Sequence, residues 1–88
     1  MSELDNLEAK VIEIIADALK KVDKTKIHPN ARLVDDLGAD SLDKVELMME
    51  LEAKLNCYIS DQDAAKIITV ADAVKYIAEK NAEKNNNA

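Results

Sequence analysis

Apolar residues recur at helical spacing through most of the chain. Leu4, Leu7, Val11, Ile14, Ile15, Ala18, Leu19 and Val22 make one stripe, which predicts a first helix from about Glu3 to Lys21. Ser2 is its expected N-cap. Glu3 and Asp5 suit the positive end of the helix dipole, and Lys20, Lys21 and Lys24 suit the negative end. A long connection follows from Asp23 to Asp40, with a turn signal at His28-Pro29-Asn30. Ile27, Leu33, Val34 and Leu37 are expected to pin it to the core. A second helix is expected from Ser41 to about Leu55, with Asp40 as N-cap. Asn56, Cys57 and Tyr58 then lead to a short third helix, from about Asp61 to Ile67, capped by Ser60. Thr69 caps a fourth helix from about Val70 to Asn81, striped by Val70, Ala73, Val74, Ile77 and Ala78. The polar end beyond it is expected to fray, giving one domain over residues 1–81 and a disordered tail over 82–88.

The second helix differs from the others in having two apolar faces. At about 100° per residue, Leu47, Met48, Leu51 and Leu55 fall on one face. Leu42, Val45, Met49 and Ala53 fall nearly opposite, flanked by Asp43, Glu46, Glu50 and Glu52. Burial on all sides at the centre of a bundle is one explanation. The neighbouring acids favour the other, a surface that meets a partner, and Met49 suits a surface accepting several.

Composition supports the helical reading. The chain has 88 residues, 1 Gly, 1 Pro, no Trp and no Phe, so breakers are few and β-favouring aromatics nearly absent. The fold class expected is all-α: a small bundle of three longer helices and one short helix, with a long loop between the first two. The net charge of −6 argues against nucleic acid and against anionic membrane surfaces. Basic proteins are the natural partners. The acid is concentrated: residues 35–63 hold nine Asp or Glu against two Lys, a net of −7. One Cys and one His build neither an internal disulfide nor a zinc site. Cys57 reads as a small apolar filler and His28 as a loop residue. No apolar run spans a membrane and no signal peptide is evident, so a monomer in the cytoplasm, or in an organelle matrix after processing, is expected.

The chemistry gathers at Leu37-Gly38-Ala39-Asp40-Ser41-Leu42, which holds the one glycine and a serine at a helix start. A calcium loop fails. Counted from Asp35, position 12 is Glu46, but Leu37 and Ala39 fill positions 3 and 5 and Asp40 stands where Gly is needed; counted from Asp36, position 12 is Leu47. A hydrolase serine fails too. No G-x-S-x-G elbow is present, and nearby carboxylates would repel an oxyanion. A modified serine fits. A phosphate ester on Ser41 would face first-turn N–H groups and the positive helix end, although Asp40 and Asp43 partly oppose its charge. Residue chemistry leaves plain helix capping open beside it.

The run Leu37-Gly38-Ala39-Asp40-Ser41-Leu42-Asp43, followed by Val45-Glu46-Leu47, resembles the attachment motif of acyl carrier proteins of the bacterial or organellar fatty-acid type. The likeness continues through Ile67-Ile68-Thr69-Val70 and Ala73 to Tyr76-Ile77 and covers nearly the whole chain. The resemblance implies a carrier rather than an enzyme. Ser41 would bear 4'-phosphopantetheine, added from coenzyme A by a magnesium-dependent phosphopantetheinyl transferase. The distal thiol of that arm, not Cys57, would hold the growing acyl chain as a thioester for fatty-acid synthesis enzymes with basic patches. Asp40, Leu42, Asp43, Val45, Glu46, Met49 and Glu52 match the family's recognition helix. Leu47, Leu51, Leu55, Ile59, Ala64, Ile67, Ile68, Ala73 and Tyr76 match core positions that part to shelter the chain. Lys44 stands where a small hydroxyl residue is frequent, Leu55 where Phe is frequent, and Ser60 where Pro is frequent; Cys57 is unusual. None of these departures touches the attachment motif. A carrier for a polyketide or other specialised acyl pathway shares the attachment chemistry. An unmodified acidic interaction module is the reading from a different class.

Overall fold

The computed structural model describes the backbone of residues 3–19 and 22–86, and side chains within 6–19 and 22–81. Four α-helices follow in order: α1 (Glu3–Ala18), α2 (Ser41–Leu55), α3 (Asp61–Lys66) and α4 (Val70–Asn86). A single 3₁₀ turn, Lys24–Lys26, opens the long connection between α1 and α2, where the Asp23 side chain accepts from the Thr25 N–H. The all-helical bundle expected from the periodicity is therefore the one found. The expected cap at Ser2 and the basic pair Lys20 and Lys21 lie outside the described residues.

The helix stripes meet in one apolar core. Val11, Ile14, Ile15 and Leu19 come from α1 and its end, Leu47, Met48 and Leu51 from α2, and Val70, Ala73, Val74 and Ile77 from α4. Each buried large aliphatic side chain stabilises the fold by about 1.5–3 kcal/mol relative to exposure. α1 packs against both α2 and α4. α3 contributes no buried residue. It is anchored by Ile59 and Ile67, both buried, at its two ends.

The connection before α2 carries its own framework. Ile27, Leu33 and Leu37 are buried as the pattern requires, and Ala31 and Ala39 join them. Val34 does not: it is 52% exposed. Residues 33–37 form a helical turn, so side chains three and four apart share a face, and Val34 falls on the outer side of that turn. The turn closes with an αL cap and one wider bond beyond it. Gly38, at φ 73°, donates to the Val34 carbonyl at 3.1 Å, and Ala39 donates to the Leu33 carbonyl at 3.0 Å. Leu33 and Ala39, both buried, supply the apolar contact position that accompanies this motif.

The same segment is stitched to the start of α4. Leu33 N–H donates to the Ile68 carbonyl at 2.9 Å, Val70 N–H to Ala31 at 3.0 Å, and Ala71 N–H to Pro29 at 2.9 Å. One isolated antiparallel bridge, Arg32 to Thr69, marks the pairing.

Three helices begin with side-chain caps. Asp40 and Asp43 form a reciprocal capping box at α2, and Ser60 accepts from Asp63 N–H at α3. At α4 the Thr69 hydroxyl accepts from Asp72 N–H, while Asp72 accepts from the N–H groups of Ile68 and Thr69, all at 3.1 Å. α2 ends at Asn56, which adopts the left-handed conformation at φ 51°. α3 stops at Lys66, one residue short of the expected Ile67, which is extended. α4 continues to Asn86, past the expected end at Asn81, because Ala82, Glu83 and Lys84 are good helix formers.

Two outcomes are expected. Gly38→Ala places a Cβ in open space but forces a left-handed alanine, at a cost of about 1 kcal/mol. Urea unfolding should show that loss, with a melting temperature about 4–8 °C lower, and Gly38→Asn should lose less. The second concerns acid. The Asp72 carboxyl is held below its ordinary value of 3.8, chiefly by the Thr69 N–H and then by the Ile68 N–H. Asp36 is held down by the Arg32 N–H. A carboxylate whose pKa is lower folded than unfolded adds stability above the unfolded value, and that stability is lost as pH falls through the folded value. Asp72→Ala should therefore lower the melting temperature by a few degrees at pH 7, with the gap to the parent closing below about pH 3.8. A gap that persists undiminished at pH 2 would mean that the ionised carboxylate is not the source of the loss.

Candidate functional site

Ser41 is the first residue of α2, directly after the capping residue, and it is exposed. The local sequence dictates this placement. Gly38 turns the chain out of the helical turn before it, Ala39 is buried at 2% exposure, and Asp40 takes the extended conformation of an N-cap. Asp40 Oδ1 accepts from Asp43 N–H at 2.8 Å, and Asp40 N–H donates to Asp43 Oδ2 at 3.3 Å. The glycine and the two aspartates thus fix the backbone on both sides of the serine while its hydroxyl stays in solvent. The remaining first-turn N–H groups point outward from the helix start, as in any α-helix.

The outer face of α2 runs on from Ser41. Leu42, Val45 and Met49 are 66%, 55% and 61% exposed, and Ala53 is exposed as well. This is the second apolar stripe of the sequence, and it is not covered by the bundle. Glu46 and Glu50 stand beside it, both exposed, and Asp43 is half-buried.

Glu52, grouped by resemblance with the recognition residues, has a structural task. Its Oε2 accepts from the Ile59 N–H at 2.9 Å, and its carbonyl receives the N–H groups of Asn56 and Cys57. It thereby holds the loop between α2 and α3. No sequence pattern announces a bond across seven residues of irregular chain. The capping role of Asp72 was readable, since Thr69-Val70-Ala71-Asp72 has capping-box spacing.

The residues matched to the acyl pocket fall into three groups. Leu47, Leu51, Ile59, Ile67 and Ala73 are buried together in the core. Leu55, Ala64 and Tyr76 pack against its edge. Ile68 is apart from them, 55% exposed. Its carbonyl is committed to Leu33 N–H and its own N–H to Asp72, which fixes it on the outside of the loop.

Tyr76 connects α4 to α3. Its hydroxyl donates to Asp63 Oδ2 at 2.7 Å and lies 3.2 Å from the Tyr58 carbonyl oxygen. That hydrogen bond is the chief reason the Asp63 carboxyl is held below the ordinary range. Lys80 Nζ sits 5.4 Å from the centre of the Tyr76 ring.

Among the described residues Ser41 has no hydrogen bond to a base, and His28 is exposed in the loop before Ala31. Cys57 is half-buried, with its Sγ 4.0 Å from the Leu51 carbonyl oxygen, and packs at the core's edge. Among the described residues no three His, Cys, Asp or Glu side chains converge to hold a metal ion, and no helix is long and apolar enough to cross a membrane.

Comparison with known proteins fits this geometry. The family model described as "Phosphopantetheine attachment site" matches residues 9–77. An acyl carrier protein of Rickettsia massiliae is 50% identical over 80 residues, covering 91% of this chain and 92% of the relative. One from Desulforapulum autotrophicum is 53% identical over 75 residues, with 85% and 97% covered. One from Rickettsia canadensis is 49% identical over 80 residues, with 91% and 92% covered. With that coverage at about half identity, the chain belongs to the acyl carrier protein family, whose prosthetic group is phosphopantetheine.

Proposed function

We propose that Ser41 is the attachment point of 4'-phosphopantetheine and that the protein carries growing acyl chains in fatty-acid biosynthesis. One observation carries this reading: an exposed serine at the first position of a capped helix, with an uncovered apolar and acidic face running on from it. The residues present fit the group. Ser41 Oγ is open to the approach of a modifying enzyme, and a phosphodiester on it lies at the positive end of α2. The arm supplies a terminal thiol that holds the acyl group as a thioester.

The chain's own residues do the rest. Gly38 and the Asp40–Asp43 box hold the serine at a fixed angle to the bundle. Leu42, Val45 and Met49 offer apolar contact to a partner, and Asp40, Asp43 and Glu46 attract its basic patch. A phosphopantetheinyl transferase and the enzymes of chain elongation are the proposed partners. Glu52 contributes to this surface through the α2–α3 loop it holds as well as through its charge.

The core takes the acyl chain between α2, α3 and α4. α3 is the wall that gives way, since it buries no residue of its own and is held by Ile59, Ile67 and the Tyr76–Asp63 hydrogen bond. Leu47, Leu51 and Ala73 form an apolar lining, and Leu55 and Ala64 border the opening. Ile68 lies outside that lining.

Incubation with coenzyme A, magnesium and a broad-specificity phosphopantetheinyl transferase should add one phosphopantetheinyl group by intact mass, and Ser41→Ala should add none. No gain on the parent chain would instead support an unmodified interaction module, and an equal gain on Ser41→Ala would move the attachment elsewhere. Loading assays with the enzymes of fatty-acid elongation and of polyketide assembly separate the two pathways.

Reversing the charge at Glu46 is the direct probe of the outer face. Glu46→Lys should slow transfer by a basic partner about tenfold at low salt, with the deficit shrinking as ionic strength rises. Equal rates for parent and variant at low ionic strength would remove electrostatic attraction from the reading.

A further inference from the structure

A cleft of about 290 Å³ lies between α1 and α2, lined by Asp17, Ala18, Glu46, Met49 and Glu50. Three of these residues lie on the outer side of α2, so the cleft is continuous with the face proposed above for partners. Asp17 and Ala18 come from α1, which that face did not include.

The walls have a definite chemistry. Met49 and the methyl group of Ala18 are apolar, and three carboxylates stand around them. The complementary group is a long side chain with an aliphatic stem and a cationic head. The chain already holds one such head against two of these carboxylates. Lys54 Nζ lies 3.4 Å from Glu50 Oε2 and 3.8 Å from Asp17 Oδ2, bridging α2 to α1. Both pairs are solvent-exposed, with side-chain exposures of 48% for Lys54 and 73% for Asp17. Exposed pairs of this kind add little to folding, so exchanging Lys54 for another cation costs little. Glu46 makes no ion pair among the described residues and is available to the incoming group.

Arginine suits the site better than lysine. Its planar fork serves carboxylates on two helices at once, and it is the more weakly hydrated cation. At 1.5 Å per residue, Glu46 to Glu50 lie about 8–14 Å along α2 from Ser41. An enzyme whose active site covers Ser41 reaches that far.

We propose that this cleft receives an arginine side chain of the transferase that modifies Ser41, and that Lys54 is an internal competitor displaced on docking. The inference rests on the carrier reading. The test is steady-state transfer from coenzyme A to the full-length unmodified chain at low salt, with the Michaelis constant for the chain as readout. Asp17→Asn should raise it about fivefold with turnover within twofold, and Lys54→Gln should lower it about threefold. In the double variant the gain from Lys54→Gln should shrink, because the two residues share one ion pair. Glu79→Gln and Lys75→Gln make the same charge changes on α4 and should leave the constant unchanged. Circular dichroism and melting curves keep folding losses apart from binding losses. Asp17→Asn and Lys54→Gln effects no larger than those of the α4 controls would overturn the cleft while leaving the carrier reading intact. Absence of any transfer to the parent chain would instead remove the carrier reading on which the cleft depends.

Discussion

The backbone of one buried residue, Leu33, holds the region around the serine together. Its N–H donates to the carbonyl of Ile68, before α4, and its carbonyl accepts from Ala39, two residues before α2. Its side chain is fully buried. The start of α2 is thereby tied to the start of α4 through a single peptide unit on each side. A buried peptide group left without a partner costs about 1–3 kcal/mol, so both bonds are strongly specified. Gly38, inside the loop that the second bond closes, takes the left-handed conformation at φ 73° that a glycine adopts without a Cβ penalty. Asp40 then meets Asp43, and Ser41 is delivered at the helix start with its hydroxyl outward.

The acidic residues divide by whether the fold employs them. Asp36 accepts from the Arg32 N–H at 2.8 Å, Asp72 caps α4, Asp63 is bonded by Tyr76 and Glu52 holds the loop to α3. These charges are satisfied by donors within the chain. Glu46, beside the exposed stripe, has no such donor among the described residues. Like charges gathered on one surface repel one another and cost stability. The employed acids offset that cost through their hydrogen bonds, whereas an unengaged acid such as Glu46 gains only when a cation arrives from outside. Among the acids beside the exposed stripe of α2, Glu46 is therefore the one most dependent on an outside cation.

Much of this was legible in the sequence because the deciding forces are local. The periodicity of apolar residues placed α2 at Ser41 to Leu55, and the observed helix has those bounds. The two stripes of α2 were visible as angles on a helix, and the structure buries Leu47, Met48 and Leu51 while exposing Leu42, Val45 and Met49. The resemblance, not residue chemistry, separated attachment from capping at Ser41, and the capping itself falls to Asp40 next to it. What stayed hidden depends on pairing between distant segments. Val34 and Ile68 are aliphatic like their neighbours; the helical turn over 33–37 leaves Val34 outside, and the bonds to Leu33 and Asp72 leave Ile68 outside. Glu52 reads as one more surface acid until the loop folds back and brings Ile59 N–H to it. The phenolic hydroxyl of Tyr76 joins α4 to α3 across thirteen residues, a contact that composition and spacing do not encode.

α2 therefore serves two solvents at once, and this limits how the rest of the bundle can be built. Its inner face must lie in a dry core, which requires α1 and α4 to pack closely against each other and around it. Its outer face is uncovered by the described helices, as the proposed docking of a partner requires. Among the described residues the remaining helix, α3, is short and buries none of its own residues. The long connection meets the same restriction. It can cross the bundle only where it does not mask α2, and its pairing with residues 68–71 keeps it on the α4 side. From Leu33 to Ser41 the connection links the start of α4 to the start of α2 within a few hydrogen bonds. Ser41 there is fixed at its backbone and exposed at its side chain, which is the mechanical requirement for the proposed attachment of an arm.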